Sequence, residues 1–510
     1  MKKSILFLIA VFAFVVSQSQ KPANSLVIYS DSGKVTIDKN IYGHFAEHLG
    51  RCIYDGIWVG PDSPIPNTRG IRNDVIEALK EISPPVIRWP GGCFADIYHW
   101  KNGIGPREER PEIVNLTWGA VVEDNSFGTH EFLDFCDLIG AEPYLAANVG
   151  SGSVQETRDW VAYVNSEKGP MADLRRKNGR DEPWNVKYWG IGNESWGCGG
   201  NMTPEYYADQ AKQFATFCPG DFKIFSGGLP EDYYWTETVM KKTQYYQHLI
   251  QGYSYHHYTV PNTWNEKGSA TNFNKEEWFK TMKKSYGVKE GLAKHCEIMD
   301  KYDPEKKIAL IADEWGNWFD VEPGTNPAFL YQQNTLRDAV TAGLYFNIFN
   351  NRSDRVKMAN IAQTVNVLQA VILTKEDQMV KTPTFYAFKM FKVHHDATLL
   401  PFELQSENYF YEDEKISSLS VSASKDKEGK IHVSIVNLDP DNKRDLICDI
   451  KGANLKSVSA EIITARDMNA FNDFNSAEQV NIKEFKDFKM QDDKLNISLP
   501  AKSVVMVEID

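Results

Sequence analysis

Apolar runs of strand length alternate with helically spaced apolar residues through the first three-quarters of the chain. Eight runs read as buried strands: 41–47, 86–91, 142–149, 186–193, 222–226, 252–258, 308–313 and 358–365. Helical patterns fill the intervals. Val75, Ile76, Leu79 and Ile82 share one helix face, with Asn73 placed to cap it and Pro84-Pro85 to stop it. Thr129 is placed to cap a helix carrying Phe132, Phe135, Cys136 and Ile139 that ends at Gly140, and Thr203-Pro204 opens another with proline at its first position. Eight strands alternating with helices predict an α/β fold, a (β/α)8 TIM barrel, over residues 39–380.

The periodicity changes near residue 380. Shorter alternating runs at 430–436, 446–450, 458–463, 495–499 and 504–509 are separated by turn residues such as Asp439-Pro440-Asp441-Asn442. They predict a C-terminal antiparallel β-sandwich domain over 381–510. Two further runs, 26–29 and 34–37, precede the barrel within residues 20–38 and read as strands joining that sandwich.

The extreme N-terminus has a different pattern. Lys2-Lys3, the apolar stretch from Ile5 to Val16 and Ser17-Gln18-Ser19 together read as a signal peptide over residues 1–19, predicting a periplasmic or secreted protein. The apolar stretch is short for a membrane span, no later one is long enough, and no cysteine near the cleavage region could take a lipid, so no membrane anchor is expected.

Charge narrows the ligand class. A net charge of −13 over 510 residues disfavours nucleic acid and anionic membrane as partners. Thirteen tryptophans suit a neutral ligand with apolar faces, such as a sugar, although core packing is the ordinary role of each. The seven cysteines lack C-x-x-C spacing and read neither as a disulfide framework nor as a zinc site, leaving room for one bridge.

The candidate chemistry lies at two strand ends. The fourth run closes on Asn193-Glu194 and the seventh on Asp313-Glu314, at the end of the barrel where active sites are built. Alone, either glutamate could cap a strand or pair with a basic neighbour. Two in matching contexts supply the paired carboxylates of a glycosidase, one as nucleophile and one as acid/base. Neither metal nor cofactor is required. His44-Phe45-Ala46-Glu47-His48 matches the H-x-x-E-H pattern of a class of zinc peptidases, but that pattern needs a helix and here it falls on the first barrel strand. On a strand, Glu47 would instead share a pocket face with Phe45. In the pair His256-His257, one side chain is expected to enter the barrel and the other to point outward.

Longer motifs extend the picture. His44 to Arg51, Arg88-Trp89-Pro90-Gly91-Gly92-Cys93-Phe94, Gly105 to Arg110, Phe127-Gly128-Thr129, Trp189 to Glu194, Asp313-Glu314-Trp315 and Ala362-Gln363-Thr364-Val365-Asn366 resemble glycoside hydrolase family 51, characteristically α-L-arabinofuranosidases. The resemblance spans nearly the whole chain after residue 25. It implies a barrel with a β-sandwich, a retaining mechanism without metal, and release of terminal arabinofuranose from arabinan, arabinoxylan or derived oligosaccharides. By motif, Glu194 matches the acid/base and Glu314 the nucleophile. Glu47, Arg88, Cys93, Asn193, Tyr258 and Gln363 match positions that shape or contact the arabinose subsite. Cys93 then reads as a pocket residue rather than half of a disulfide. Trp89, Trp100, Trp196, Trp315 and Trp318 are candidates for the pocket rim or the layer behind it. The family also implies a homo-oligomer. Alternatives are an endo-glucanase or endo-xylanase on the same scaffold and a non-catalytic polysaccharide-binding protein.

Overall fold

The computed structural model describes residues 24–453 and 455–510. The signal peptide expected at residues 1–19 lies outside them. Eight parallel strands close into a barrel: β1 (Gly43–Phe45), β2 (Val86–Trp89), β3 (Glu142–Ala147), β4 (Tyr188–Ile191), β5 (Phe222–Phe225), β6 (Gly252–Thr259), β7 (Ala309–Asn317) and β8 (Val356–Ala362). All eight overlap the predicted runs, with β7 continuing past the expected end at 313 to Asn317 and β8 starting two residues early at Val356. They are buried on both faces, which is why they read as continuous apolar stretches.

Thr203 caps its helix as expected, its side chain accepting from the Tyr206 N–H. The caps expected from Asn73 and Thr129 fall one residue inside their helices. Asn73 accepts from the Thr68 hydroxyl instead, and Glu131 turns back to accept from the Gly128 N–H (2.9 Å). Just beyond the boundary expected at residue 380 lies one more helix. Pro383–Phe391 packs on helix Leu336–Asn350, with Phe388 and Phe391 against Phe346 and Phe388 also against Trp315 of β7.

Two sheets pack face to face beside the barrel. Ser25–Tyr29 pairs antiparallel with Phe402–Gln405 and parallel with Arg444–Lys451, so this sheet is mixed rather than wholly antiparallel. Val35–Thr36 pairs with Thr398–Leu399 in the second sheet. Leu26, Ile28 and Ile497 from one sheet meet Val433, Ile435 and Val505 from the other in a separate core.

The barrel interior is layered. Val86, Ile224, Ile311 and Met358 fill its base. Above them Tyr144 and Asn360 both donate to Asp313, at 2.8 Å each, forming a polar floor under the strands' C-terminal ends. The sandwich is fastened to the barrel in part by buried Trp278, on helix Lys275–Tyr302, whose Nε1 donates to the Leu438 carbonyl at 2.9 Å. Trp278→Phe orphans that carbonyl and should cost about 1–2 kcal/mol. Trp278→Ala also opens a cavity and should cost about 3–5 kcal/mol. Urea unfolding of the two variants checks the order, and an alanine variant no weaker than the phenylalanine one contradicts it.

Candidate active site

Strict alternation along β7 would send Asp313 and Glu314 to opposite sides of the sheet. The β7–β8 register shifts between Ala312 and Trp315, and this irregularity lets both carboxylates face inward. The β6–β7 pairing meets the same extra residue of β7, Ser254 and His256 standing opposite Ile311 and Glu314, while ordinary alternation along β6 puts His256 and Tyr258 on the inner face. His257 points outward to the Tyr345 hydroxyl (2.6 Å), so the expected split of the histidine pair holds.

At the end of β4 the chain turns through Gly192 (φ 83°), and Glu194 itself is left-handed (φ 38°). That conformation is costly for a residue with a side chain and concentrates at functional sites. It aims the Glu194 carboxylate back over the barrel mouth. One donor oxygen of Glu194, one of Glu314 and a ring nitrogen of His256 all lie within 4.8 Å of one another.

Arg88 organises the centre. Its buried guanidinium donates from Nη1 to Glu314 Oε1 (2.7 Å) and from Nη2 to Asn193 Oδ1 (2.6 Å), and it lies 4.6 Å from the Phe45 ring. Arginine offers only donors, so the Asn193 oxygen must face it and the amide Nδ2 is left to donate elsewhere. Tyr258 donates its hydroxyl to Glu314 Oε2 at 2.7 Å. Burial pushes the Glu314 pKa upward, but His256, Arg88 and the Tyr258 hydroxyl together outweigh it and hold the carboxyl below its ordinary value. Gly92 stands against this carboxylate, where a Cβ would come 2.8 Å from Glu314 Oε1, so a side chain there would displace the carboxylate from Arg88.

Glu47 is a third carboxylate in the pocket. Its Oε1 accepts from the Gly92 N–H (3.1 Å), the Phe94 N–H (3.0 Å) and Trp118 Nε1 (3.0 Å), and Oε2 accepts from Gln363 Nε2 (3.1 Å). Burial, then the charge of Glu314, pushes its pKa up to about 7. Gln363 Oε1 is buried without a protein partner, an acceptor free for a ligand hydroxyl.

These residues surround a cavity of about 410 Å³ that is also lined by Trp118, Trp196, Trp264, Trp318, Leu229 and Leu330. The eight predicted site residues thus converge, six lining the cavity and Arg88 and Asn193 lying directly beneath it. Of the predicted tryptophans, Trp196 and Trp318 reach it, whereas Trp89, Trp100 and Trp315 are fully buried in packing. Sequence reasoning missed Trp118 and Trp264, which stand on loops without periodicity.

One expectation is corrected. Cys93 lines the pocket but is bonded to Cys198, with Cα atoms 5.5 Å apart. The partners are 105 residues apart in sequence, and only the juxtaposition of the β2 and β4 loops reveals them. His44 and His48 do not converge on a metal. His44 is buried on β1 against Phe388, and His48 faces Glu123 at 3.3 Å. Among the described residues, two groups could offer a metal three donors: Glu194, His256 and Glu314, and Cys93, Glu194 and Cys198. In the first, Glu314 already accepts from Arg88 and Tyr258, an arrangement that fits acid–base chemistry.

His256 is the residue whose position sequence only half specified. Its Nδ1 lies 3.1 Å from Glu194 Oε1 and 3.5 Å from Glu314 Oε2. Burial lowers its pKa, but the charge of Glu314 and the hydrogen bond to Glu194 overcome this and raise it above 6.5. Stability from this contact is therefore complete below about pH 6.5 and is lost as pH rises through the raised value. NMR titration of the imidazole should place its midpoint above 6.5, and Glu314→Gln should lower that midpoint. An unmoved midpoint in the variant contradicts the ion pair.

The chain matches the model of the α-L-arabinofuranosidase 1 domain over residues 78–277 and that of the α-L-arabinofuranosidase C-terminal domain over 313–503. A relative from Bacteroides ovatus, named an intracellular exo-α-L-arabinofuranosidase, is 51% identical over 100% of both chains. That name overturns the expectation of a periplasmic or secreted protein, which rested on the N-terminal pattern alone. A family 51 arabinofuranosidase crystal structure from Xanthomonas axonopodis pv. citri superposes with a TM-score of 0.94 at 44% identity, covering 96% of this chain and all of that one. An arabinose complex of the α-L-arabinofuranosidase from Thermotoga maritima gives 0.81 at 32% identity, covering 95% and 99%. The chain belongs to glycoside hydrolase family 51, among the α-L-arabinofuranosidases.

Proposed function

We propose that the protein is a retaining α-L-arabinofuranosidase that releases terminal arabinofuranose from arabinan, arabinoxylan or oligosaccharides derived from them. The observation that carries this reading is the pair of carboxylates within 4.8 Å in unequal surroundings. Retaining enzymes keep their carboxyl groups roughly 5–5.5 Å apart, whereas inverting enzymes need roughly 6.5–9.5 Å to admit a water. Glu314, held ionised by Arg88, Tyr258 and His256, is suited to attack the anomeric carbon. Glu194 is more exposed, at 21% against 7%, and reaches solvent and the leaving group.

In the first step a Glu314 oxygen bonds to the anomeric carbon while the glycosidic bond breaks and Glu194 protonates the leaving oxygen. In the second, Glu194 takes a proton from water, whose oxygen displaces Glu314 and restores the original configuration. Asn193 Nδ2, Glu47 and the free Gln363 oxygen are placed to bind sugar hydroxyls. Cys93 and Tyr258 shape the same pocket, and Arg88 acts from beneath by orienting Glu314 and Asn193. Loops after seven of the eight strands ring the cavity, which favours one terminal sugar over the open groove of an endo-acting enzyme. The exo-acting name of the Bacteroides ovatus relative supports the same choice.

The purified protein should release nitrophenol from a nitrophenyl α-L-arabinofuranoside; no release there together with turnover of a β-glucan rejects the reading. With this good leaving group, Glu194→Ala should regain rate on adding azide and give the azide product of retained configuration. Glu314→Ala should be rescued only with inverted configuration. The reverse pattern exchanges the two roles. Because Glu314 lies below its ordinary pKa, the acidic limb of kcat/KM should fall below about pH 4.5, and Tyr258→Phe should move it upward. A limb unmoved by that substitution means that the hydroxyl does not sustain the nucleophile's charge.

A further inference from the structure

The mechanism uses neither sulfur of the Cys93–Cys198 bridge, yet both touch the proposed acid/base. Cys198 Sγ lies 3.6 Å and Cys93 Sγ 4.0 Å from Glu194 Oε2. Cys198 is exposed, in a turn between Gly197 and Gly199-Gly200, so a small reductant can reach the bond. The other five cysteines are buried and unpaired.

We propose that reduction of this bridge creates a binding site for a thiophilic divalent cation such as Zn2+, with Cys93, Cys198 and Glu194 as ligands, and that occupancy switches the enzyme off. The inference rests on Glu194 being the acid/base. Two donor types and their spacing carry it. With Zn–S of about 2.3 Å and Zn–O of about 2.1 Å at tetrahedral angles, a sulfur and an oxygen on one zinc stand roughly 3.6 Å apart and two sulfurs roughly 3.8 Å. The sulfur-to-carboxylate distances of 3.6 and 4.0 Å already match. Only the two sulfurs must separate, and the glycines flanking Cys198 leave its turn free to give. The Asn193 amide nitrogen lies 3.8 Å from Cys198 Sγ and favours a thiolate there. Exposure of Cys198 leaves the fourth coordination position to water.

The chemistry balances with a phosphine as reductant. The phosphine, the disulfide and one water give the phosphine oxide and two thiols, and zinc then displaces both thiol protons. Bound zinc holds the Glu194 carboxylate as a ligand, so it can neither deliver a proton to the leaving oxygen nor accept one from water.

Full-length protein would be reduced with a water-soluble phosphine, desalted without air and titrated with Co2+ and then with Zn2+. The expected result is a thiolate-to-cobalt charge-transfer band that saturates at one equivalent and is displaced by Zn2+. In parallel, hydrolysis of the nitrophenyl arabinofuranoside should fall more than tenfold with Zn2+ and recover with chelator, while the oxidised protein keeps its rate at the same zinc concentration. Reduced Cys198→Ser should lose the saturating band. Equal zinc inhibition of the oxidised and reduced protein would overturn the proposal, pointing to the cluster of Glu194, His256 and Glu314 instead; absence of the cobalt band after reduction would overturn it as well. The band is read without substrate. A protein that binds cobalt but never turns over the arabinofuranoside would refute the proposed activity and the switch, and leave the cation site standing.

Discussion

A guanidinium buried at the mouth of the barrel is the constraint on which the site depends. Arg88 cannot shed its charge, so folding it out of water demands carboxylates at fixed positions. Glu314 meets it at 2.7 Å and Asp313 lies 3.6 Å from its Nε. The converse holds equally. Without Arg88, two adjacent carboxylates on β7 would be left buried with hydrogen-bond donors but without the arginine between them, and breaking a buried ion pair in this way costs about 3–5 kcal/mol. The same cation turns the Asn193 amide, so one residue of β2 joins His256 in sustaining the nucleophile's charge on β7 and fixes the donor direction at the end of β4.

From that contact the division of labour between the glutamates follows. Glu314 is tied by Arg88, Tyr258 and His256 and is driven towards the anion. Glu194, on a left-handed residue beyond the strand, stands nearer solvent and meets His256. Glu47 has the opposite balance, with burial and the charge of Glu314 raising it to about 7. Three carboxylates within one cavity therefore have three environments, and binding, attack and proton transfer can be allotted to different residues. One irregularity, the extra residue in β7, makes the arrangement possible by overriding simple alternation there.

The parts legible in sequence were those with a period. The barrel strands announced themselves as apolar runs, and Asn193-Glu194 and Asp313-Glu314 could be placed because they close such runs. His256 could be placed on the inner face only as one of a pair, since alternation does not say which residue of His256-His257 points inward. The Cys93–Cys198 bridge joins two aperiodic loops and left no signal in spacing, and Trp118 and Trp264 come from similar loops. The last barrel helix, Pro383–Phe391, is almost wholly buried between the barrel and the sandwich, so it lacks the polar face that would have marked it as a helix. Export was read from a short N-terminal pattern that lies outside the described residues, and a relative matched from end to end and named intracellular contradicts it.

The central claim is that Glu314, held ionised by Arg88, forms the covalent bond to the sugar. Incubation with an activated 2-deoxy-2-fluoro arabinofuranoside, which slows the second step more than the first, followed by peptide mass mapping, tests it directly. A single fluoro-arabinosyl adduct on the peptide at Glu314 is the predicted result. An adduct on Glu194, or turnover by the active enzyme with no adduct on either glutamate, would contradict the account.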